Sequence, residues 1–225
     1  MWCLEDGRKT DVVSGKIRVK FHKLGKLKFI SHLDLCRTLK GAIGRAGVPI
    51  KYSQGFNPHP KMVFALPLPV GAESVCEYLD ISLTEPCDEK QLMKDVNAQL
   101  TSELQITEIY ESKMEFSDIA MAEYEFFFED FTADQLRTVL EGPLLIEKRS
   151  KKGMIEVDLR PKIVRYEITE KQGVTGFHSF LGADSNDFVN PELLVRAFEK
   201  AAGKSINYYS IMRLAVYTAE VEPFK

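Results

Sequence analysis

The sequence lacks several features that define common classes of metal-binding protein. Its 225 residues contain four cysteines and one tryptophan. No two cysteines have the C-x-x-C spacing with which paired thiolates hold one metal ion. Cys36, Cys76 and Cys87 also lie too far apart along the chain to form the closely spaced set that holds an iron–sulfur cluster. We therefore expect neither a metal site nor a cofactor.

Long hydrophobic runs and common nucleotide motifs are absent as well. No apolar stretch approaches the length of a membrane span, and residues 1–14 carry charges where a signal peptide needs an apolar core. The sequence contains neither a G-x-x-x-x-G-K-[ST] phosphate loop nor a G-x-S-x-G nucleophile elbow. These absences predict a cytoplasmic protein that does not contact a membrane.

Charge of opposite sign is concentrated in two successive segments. Residues 16–61 contain eleven lysines or arginines and one acid, Asp34. Residues 62–147 contain four basic and nineteen acidic side chains. Because a dense basic segment attracts polyanions, this asymmetry indicates that the N-terminal part meets a polyanion, whereas the acidic part meets a different partner or keeps the chain in solution.

The hydrophobic period of the first half switches in the order strand, helix, strand, strand, helix, strand. Residues 16–22 alternate, which puts Ile17, Val19 and Phe21 on one face and predicts that the intervening cations face outward. Ser31 has the character of an N-cap for a helix that ends near Gly47. Strands over 62–66 and 75–83, a helix over 88–100 and a strand over 105–111 complete a βαββαβ order.

The second half shows a related succession. Strands are expected over 124–128, 144–147 and 154–159, with further strands over 163–168 and 174–180 and a last one over 211–218. Helices are expected over 132–140 and from Asn190-Pro191 to about Ala202. We therefore predict an α+β fold of tandem ferredoxin-like (βαββαβ) halves, with antiparallel sheets and helices packed on one face. The expected boundaries are a flexible segment 1–15, a basic half 16–111, a linker 112–122 and a second half 123–225.

The segment 52–61, YSQGFNPHPK, combines rigidity with polar and aromatic groups. Glycine and two prolines break regular structure, while tyrosine and phenylalanine rings can stack and the polar side chains can hydrogen-bond to a base. Single-stranded RNA is held by this combination when nearby cations neutralise its phosphates. The candidate RNA-binding residues are Lys16, Arg18, Lys20, Lys26, Lys28, Arg37 and Lys40 for phosphates, and Tyr52, Gln54, Phe56, Asn57, His59 and Lys61 for a nucleotide.

Three motifs carry a resemblance to a known family. Residues 26–35 (KLKFISHLDL), 52–61 (YSQGFNPHPK) and 64–71 (FALPLPVG) resemble the uncharacterised bacterial family of radical SAM-linked proteins (DUF2344), and 156–161 (EVDLRP) resembles it more loosely. Members of that family occur beside, or fused to, a radical SAM protein, often near genes for a ribonuclease and ribosomal proteins. The resemblance implies a radical SAM partner and an RNA setting, and thus an accessory protein that presents tRNA or rRNA to a modification enzyme.

Other interpretations of the sequence stay open. His22, His32 and His59 all lie in the basic segment, so His32 or His59 could serve a metal-independent endoribonuclease. A metal site from His32, Asp34 and His59 is conceivable, although their spacing does not dictate one. A planar small molecule could occupy the loop 52–61 instead of a nucleotide.

A third class of function is a non-catalytic interaction partner of a radical SAM enzyme that does not bind RNA. Its docking residues would be the acidic middle of the chain, Tyr208-Tyr209 and the basic turn 148–152. Phe127, expected to point outward among glutamates, would suit such a covered surface.

Overall fold

The computed structural model describes residues 12–150, 153–184 and 187–225, which divide into two compact units. Unit 1 comprises the residues up to Pro67, residues 75–115 and Lys225. Unit 2 comprises Leu68–Ser74 and Phe116–Phe224. No helix within these described ranges is long and apolar enough to span a bilayer.

Unit 1 has the predicted βαββαβ order, with two short strands, Val12–Val13 and Cys87–Asp88, in addition. Its elements are β1 (Val12–Val13), β2 (Lys16–Lys23), α1 (His32–Arg45), β3 (Met62–Phe64), β4 (Ala72–Ser82), β5 (Cys87–Asp88), α2 (Glu89–Asn97) and β6 (Leu104–Tyr110). The first three residues of β4 belong to unit 2. The strand pair β1–β5 is antiparallel and separate from the main sheet, and Val12–Val13 fall within the segment that was expected to be flexible.

The main sheet of unit 1 has the strand order β3-β4-β2-β6. Counted from β2, this is the second, third, first and fourth strand of a βαββαβ unit, which is the ferredoxin-like arrangement. Both helices contribute to one hydrophobic core: Leu39 of α1 and Val96 of α2 are fully buried together with Ile17, Val19 and Phe21 of β2. The alternation of apolar residues in β2 therefore places them as expected.

Local chemistry fixes the ends of α1. The Ser31 hydroxyl accepts a hydrogen bond from the Asp34 backbone N–H at 3.1 Å, as an N-cap does. At the other end Gly47 has φ of +70°, a left-handed conformation that glycine adopts without a steric penalty. The predicted cap and stop signals are both confirmed.

Unit 2 contains β7 (Met121–Phe128), α3 (Ala133–Leu140), β8 (Leu145–Ser150), β9 (Gly153–Asp158), β10 (Ile163–Lys171), β11 (Val174–Gly182), α4 (Pro191–Ala202) and β12 (Tyr209–Tyr217). Its sheet has the order β10-β11-β7-β12, and these neighbours are antiparallel. The unit therefore repeats the ferredoxin-like order, and the predicted tandem α+β fold is confirmed. Residues 72–74 add a short parallel pairing to β12.

In chain order, β10 and β11 are the second and third strands of this ferredoxin-like sheet. The hairpin β8–β9 forms its own two-stranded sheet as an insertion after α3. The sequence predicted strands in both regions without indicating which pair enters the sheet. The main-chain amides of Leu144 and Arg160 both donate to the Asp158 carboxylate, at 2.8 and 2.9 Å, and so close the base of the hairpin.

The turn before α3 and the start of β12 are joined through Asp130. Its carboxylate accepts the backbone N–H of Asn207 at 2.9 Å and that of Tyr208 at 3.5 Å. Partial burial alone would raise the pKa of Asp130, but these amides outweigh it and hold the pKa below its ordinary value. α3 itself begins with a capping box between Thr132 and Gln135.

Candidate functional site

The cations that were expected on β2 are neutralised by acidic side chains of the same unit. The Lys20 ammonium lies 2.6 Å from a Glu108 carboxylate oxygen, because the two residues are directly opposite each other in the β2–β6 pairing. Lys16 lies 2.6 Å from Glu115 and 3.2 Å from Asp80. The hydrogen bond to Glu115 is the main reason that the pKa of Lys16 is raised. This strand therefore offers little free positive charge to a ligand.

The expectation that Arg18 faces outward is wrong. Its side chain is 0% exposed, and its Nε and Nη2 atoms bind the two carboxylate oxygens of Asp80 at 2.7 and 3.0 Å. Nη1 donates to the Ser112 hydroxyl at 2.8 Å, and Nη2 also donates to the Met114 carbonyl at 2.8 Å. Since a buried charge must be paired and hydrogen-bonded, the guanidinium is committed to the interior of unit 1.

A second group of cations stays accessible. Lys26, Lys40, Lys51 and Lys61 are exposed, and no carboxylate of the described residues forms an ion pair with them. The exposed Arg37 pairs with Asp34 of its own helix at 3.2 Å. The Ser31 hydroxyl, followed by Arg37, lowers the pKa of Asp34.

Lys28 lies over an exposed aromatic ring just before α1. Its Nζ atom is 5.4 Å from the centroid of Phe29, whose side chain is 66% exposed. Both residues belong to the short 3-10 helix Gly25–Phe29. Leu33, in the first turn of α1, is 58% exposed. The sequence analysis did not single out these two exposed apolar side chains.

The loop 52–61 has a closed neck and an open tip. Tyr52 and Pro60 form an antiparallel bridge, and the Ser53 N–H donates to the His59 carbonyl at 2.8 Å. The Ser53 hydroxyl accepts the His59 backbone N–H at 3.1 Å and lies 3.0 Å from its ring Nδ1. Gln54, Asn57 and Pro58 are exposed, and Phe56 at the tip has its whole side chain in solvent.

The loop and the start of α1 are connected through β3. The ring of His32 packs edge-on against Phe64 with centroids 5.5 Å apart, and Phe64 packs edge-on against Phe21 at 6.5 Å. Since Phe64 follows the loop by three residues, these contacts hold the two segments on one framework. We use the name loop–helix surface for a set of exposed or half-buried side chains of the loop and the residue before it, the short 3-10 helix and α1, namely Lys26, Lys28, Phe29, Leu33, Arg37, Lys40, Lys51, Tyr52, Gln54, Phe56, Asn57, His59 and Lys61.

The candidate histidines are engaged in three separate environments. His22 Nε2 lies 3.1 Å from the Ser102 carbonyl, His32 Nε2 lies 3.5 Å from the Cys36 sulfur, and His59 bonds within its own loop. Burial raises the pKa of the Cys36 thiol, which keeps it protonated near neutral pH. Among the described residues, no three His, Cys, Asp or Glu side chains are placed to hold a metal ion.

Comparison with protein families shows which family the chain belongs to. The family model described as an uncharacterised protein conserved in bacteria, DUF2344, matches residues 16–191. The chain belongs to this family. The DUF2344 membership expected from the three motifs is thereby confirmed, whereas the radical SAM link stays a prediction. No curated protein matches the chain.

Two solved structures that match this DUF2344 protein show a distant likeness to it. A chain of a Cbf5-Nop10-Gar1 complex is 14% identical with a TM-score of 0.47, and the match covers 89% of our chain and 48% of that chain. The protein thus spans about half the length of that relative. An unknown protein from Galdieria sulphuraria is 12% identical with a TM-score of 0.26, the match covering 89% of our chain and 96% of the other. The fold assignment rests on the strand orders described above.

Proposed function

We propose that the protein is an RNA-binding accessory protein that presents a tRNA or a ribosomal RNA to a partner radical SAM modification enzyme. The observation that supports RNA binding is the composition of the loop–helix surface. Four lysines that pair with no carboxylate in the described part of the chain lie on the same framework as an aromatic ring that is fully in solvent. Ion pairing inside unit 1 removes the β2 cations from this role.

The chemistry of this surface fits a single-stranded or looped RNA. Ammonium groups neutralise phosphates without reading sequence, whereas a ring such as that of Phe56 stacks on any base. Gln54 and Asn57 beside the ring offer donors and acceptors to the edge of a base. The hydrogen bonds that close the loop neck at Ser53 reduce the conformational entropy lost when the tip binds.

The radical SAM partner rests on the family resemblance and on the cysteines. Cys36 lies in α1, Cys76 is buried in β4 and Cys87 is in β5. Their spacing along the sequence is not that of a motif that holds an iron–sulfur cluster. The reaction itself is therefore assigned to a second protein, and the role of this chain is to bind and position the RNA.

Titration of a fluorescent single-stranded 20-nucleotide RNA between 50 and 300 mM KCl tests the phosphate role. With about four lysine contacts, log K should fall against log salt with a slope of about −3, since each phosphate contact in single strands contributes about −0.7. The double charge reversal Lys51→Glu/Lys61→Glu should halve that slope. The matched reversal Lys113→Glu/Lys171→Glu, at exposed lysines elsewhere, should leave it unchanged. Equal effects of both variants would remove the loop–helix surface as the binding site.

The aromatic role is tested separately with Phe56→Ala. Loss of one base stack should weaken binding by about 1–3 kcal/mol, or roughly 5- to 150-fold. The control Phe127→Ala removes an exposed ring of unit 2 and should leave RNA affinity within twofold. If RNA is instead cut without metal, and His32→Ala or His59→Ala abolishes cutting, the chain is a nuclease and the accessory function is wrong.

Mass spectrometry of nucleosides tests the accessory role in cells. Deletion of the gene should remove a modified nucleoside from tRNA or rRNA, and the parent chain should restore it. The Phe56→Ala chain, produced at the same level, should restore it poorly. An unchanged nucleoside profile after deletion would refute presentation to a modifying enzyme while leaving RNA binding intact.

A further inference from the structure

The open face of the unit 2 sheet carries a row of side chains that runs across five strands. Cross-strand pairing places Glu73 opposite Met212, Met212 opposite Glu125, Glu125 opposite His178, and His178 opposite Glu167. Directly paired residues point to the same side of a sheet, so three carboxylates share this face. We call it the acidic sheet face, and it comprises Glu73, Glu123, Glu125, Phe127, Glu167, His178, Phe180 and Met212.

The helices of unit 2 lie on the opposite side of the sheet. Phe198 of α4 packs against Phe128 and Phe177 with ring centroids 6.3 and 5.6 Å apart, and all three side chains are fully buried. Along β7 the alternate residue Phe127 points away from them and is 41% exposed. The acidic sheet face thus combines solvent-accessible carboxylates with an exposed ring.

A hydrogen-bonded cluster makes the middle of the face rigid. One oxygen of Glu123 lies 2.6 Å from His178 Nε2, and its other oxygen accepts the Tyr217 hydroxyl at 2.6 Å. The ring of Phe180 packs against both His178 and Tyr217, with centroids 5.5 Å apart in each case. Side chains held in this way lose little further entropy when a partner binds.

The face already binds one guanidinium of its own chain. The Arg165 guanidinium carbon lies 5.3 Å from the centroid of Phe180, in the same row as Glu123. Register places two cations of β10, Arg165 and Lys171, on this side of the sheet, against Glu73, Glu123, Glu125 and Glu167. Glu125, Glu167 and the ring of Phe127 can hold further guanidinium groups by charge and by cation–π contact.

We propose that the acidic sheet face docks a basic, arginine-bearing segment of a partner protein. Its net negative charge repels RNA, so this surface complements a cationic chain and not a polyanion. Its exposed phenylalanine and its methionine are residue types enriched at protein interfaces. The inference does not depend on RNA binding at the loop–helix surface, since it concerns a different face and the opposite charge.

A labelled nonapeptide of alternating arginine and threonine, titrated into the full chain at 50 mM salt, tests the proposal. We expect the amide NMR shifts to concentrate on β7, β11 and β12, and a peptide with glutamate in place of arginine should not bind. Glu125→Lys replaces attraction by repulsion and should weaken binding about 5- to 30-fold, which corresponds to two ion-pair contributions of about 0.5–1 kcal/mol each. Glu170→Lys is the control and should change affinity less than twofold. Glu170 is an exposed residue of β10 that pairs with buried Thr175 and therefore lies on the helix side of the sheet.

Three outcomes would overturn the proposal. The first is equal weakening of peptide binding by Glu125→Lys and Glu170→Lys, and the second is a set of peptide-induced shifts that map outside the acidic sheet face. The third is self-association of the parent that Glu125→Lys abolishes, because it would assign the face to a second copy of the chain. If Glu125→Lys fails to fold by circular dichroism, Glu125→Gln replaces it with an expected two- to fivefold loss. The variant Lys51→Glu/Lys61→Glu, altered at the loop–helix surface, should bind the peptide with unchanged affinity, so this result stands apart from the RNA experiments.

Discussion

The buried ion pair between Arg18 and Asp80 gives the most quantitative prediction from the structure. Arg18→Met keeps an unbranched apolar side chain at the position and removes the charge. Asp80, whose side chain is 4% exposed, would then retain only Lys16 at 3.2 Å as a cationic partner. An unpaired carboxylate in this position is costly because water no longer solvates it.

The expected loss of stability is large for one substitution. Breaking a buried ion pair by removing one partner costs about 3–5 kcal/mol, and the remaining Lys16 contact argues for the lower end, about 3 kcal/mol. For a chain of this size, that corresponds to a fall in Tm of roughly 6–12 °C. The double variant Arg18→Met/Asp80→Leu removes both charges and should recover most of the loss, since apolar residues of similar volume can replace a buried pair.

Calorimetry of the three variants measures this effect, together with hydrogen exchange of the β2 and β4 amides, which reports on unit 1 alone. The RNA salt slope of Arg18→Met, measured well below its Tm, should equal that of the parent because the guanidinium does not reach solvent. A loss of stability below about 1 kcal/mol, or a shallower salt slope in the folded variant, would refute the assignment of Arg18 to the interior.

Further predictions concern the loop, a glycine and a carboxylate. Ser53→Ala removes the hydroxyl that bonds His59 and should weaken RNA binding about fivefold, by fluorescence anisotropy, without altering the salt slope. Gly25→Ala should lower stability by about 1–2 kcal/mol in urea unfolding, because φ is +58° and an added Cβ would contact the Glu103 carboxylate; an unchanged midpoint would contradict this. Asp130 has a lowered pKa in the folded state, so its contribution to stability is present above the unfolded-state pKa of about 4 and is lost as pH falls through the lower folded value; Asp130→Asn should reduce the acid-side slope of stability, measured between pH 2 and 5.

Much of the fold follows from local sequence patterns, and the features that were predicted correctly share one cause. Ser31, Thr132 and Asn190 each cap a helix within a few residues of where the sequence places its start. The apolar alternation in β2 identifies Ile17, Val19 and Phe21 as core residues. Caps and periodicities depend on neighbours a few positions away, so the sequence carries them directly.

The candidate site was predicted less completely because its accessibility depends on distant residues. Lys26, Lys40 and Lys61 remain exposed as expected, whereas Lys16 and Lys20 are neutralised. The loop 52–61 presents its polar and aromatic side chains to solvent, as its composition indicates. Nothing in the alternation of β2 distinguishes a cation that meets solvent from one that meets a carboxylate on another strand.

The sequence by itself determined the two βαββαβ halves, the helix caps, the irregular loop and the segregation of charge. Tertiary structure alone decided that Arg18 is interior, because its partner Asp80 is 62 residues away and meets it only when β2 and β4 share a sheet. It also decided that β10–β11, and not β8–β9, complete the second sheet, since both pairs satisfy the strand pattern and only the pairing of β11 with β7 distinguishes them. The acidic sheet face arises in the same way: its four glutamates come from three separate strands, and strand register brings them onto one face.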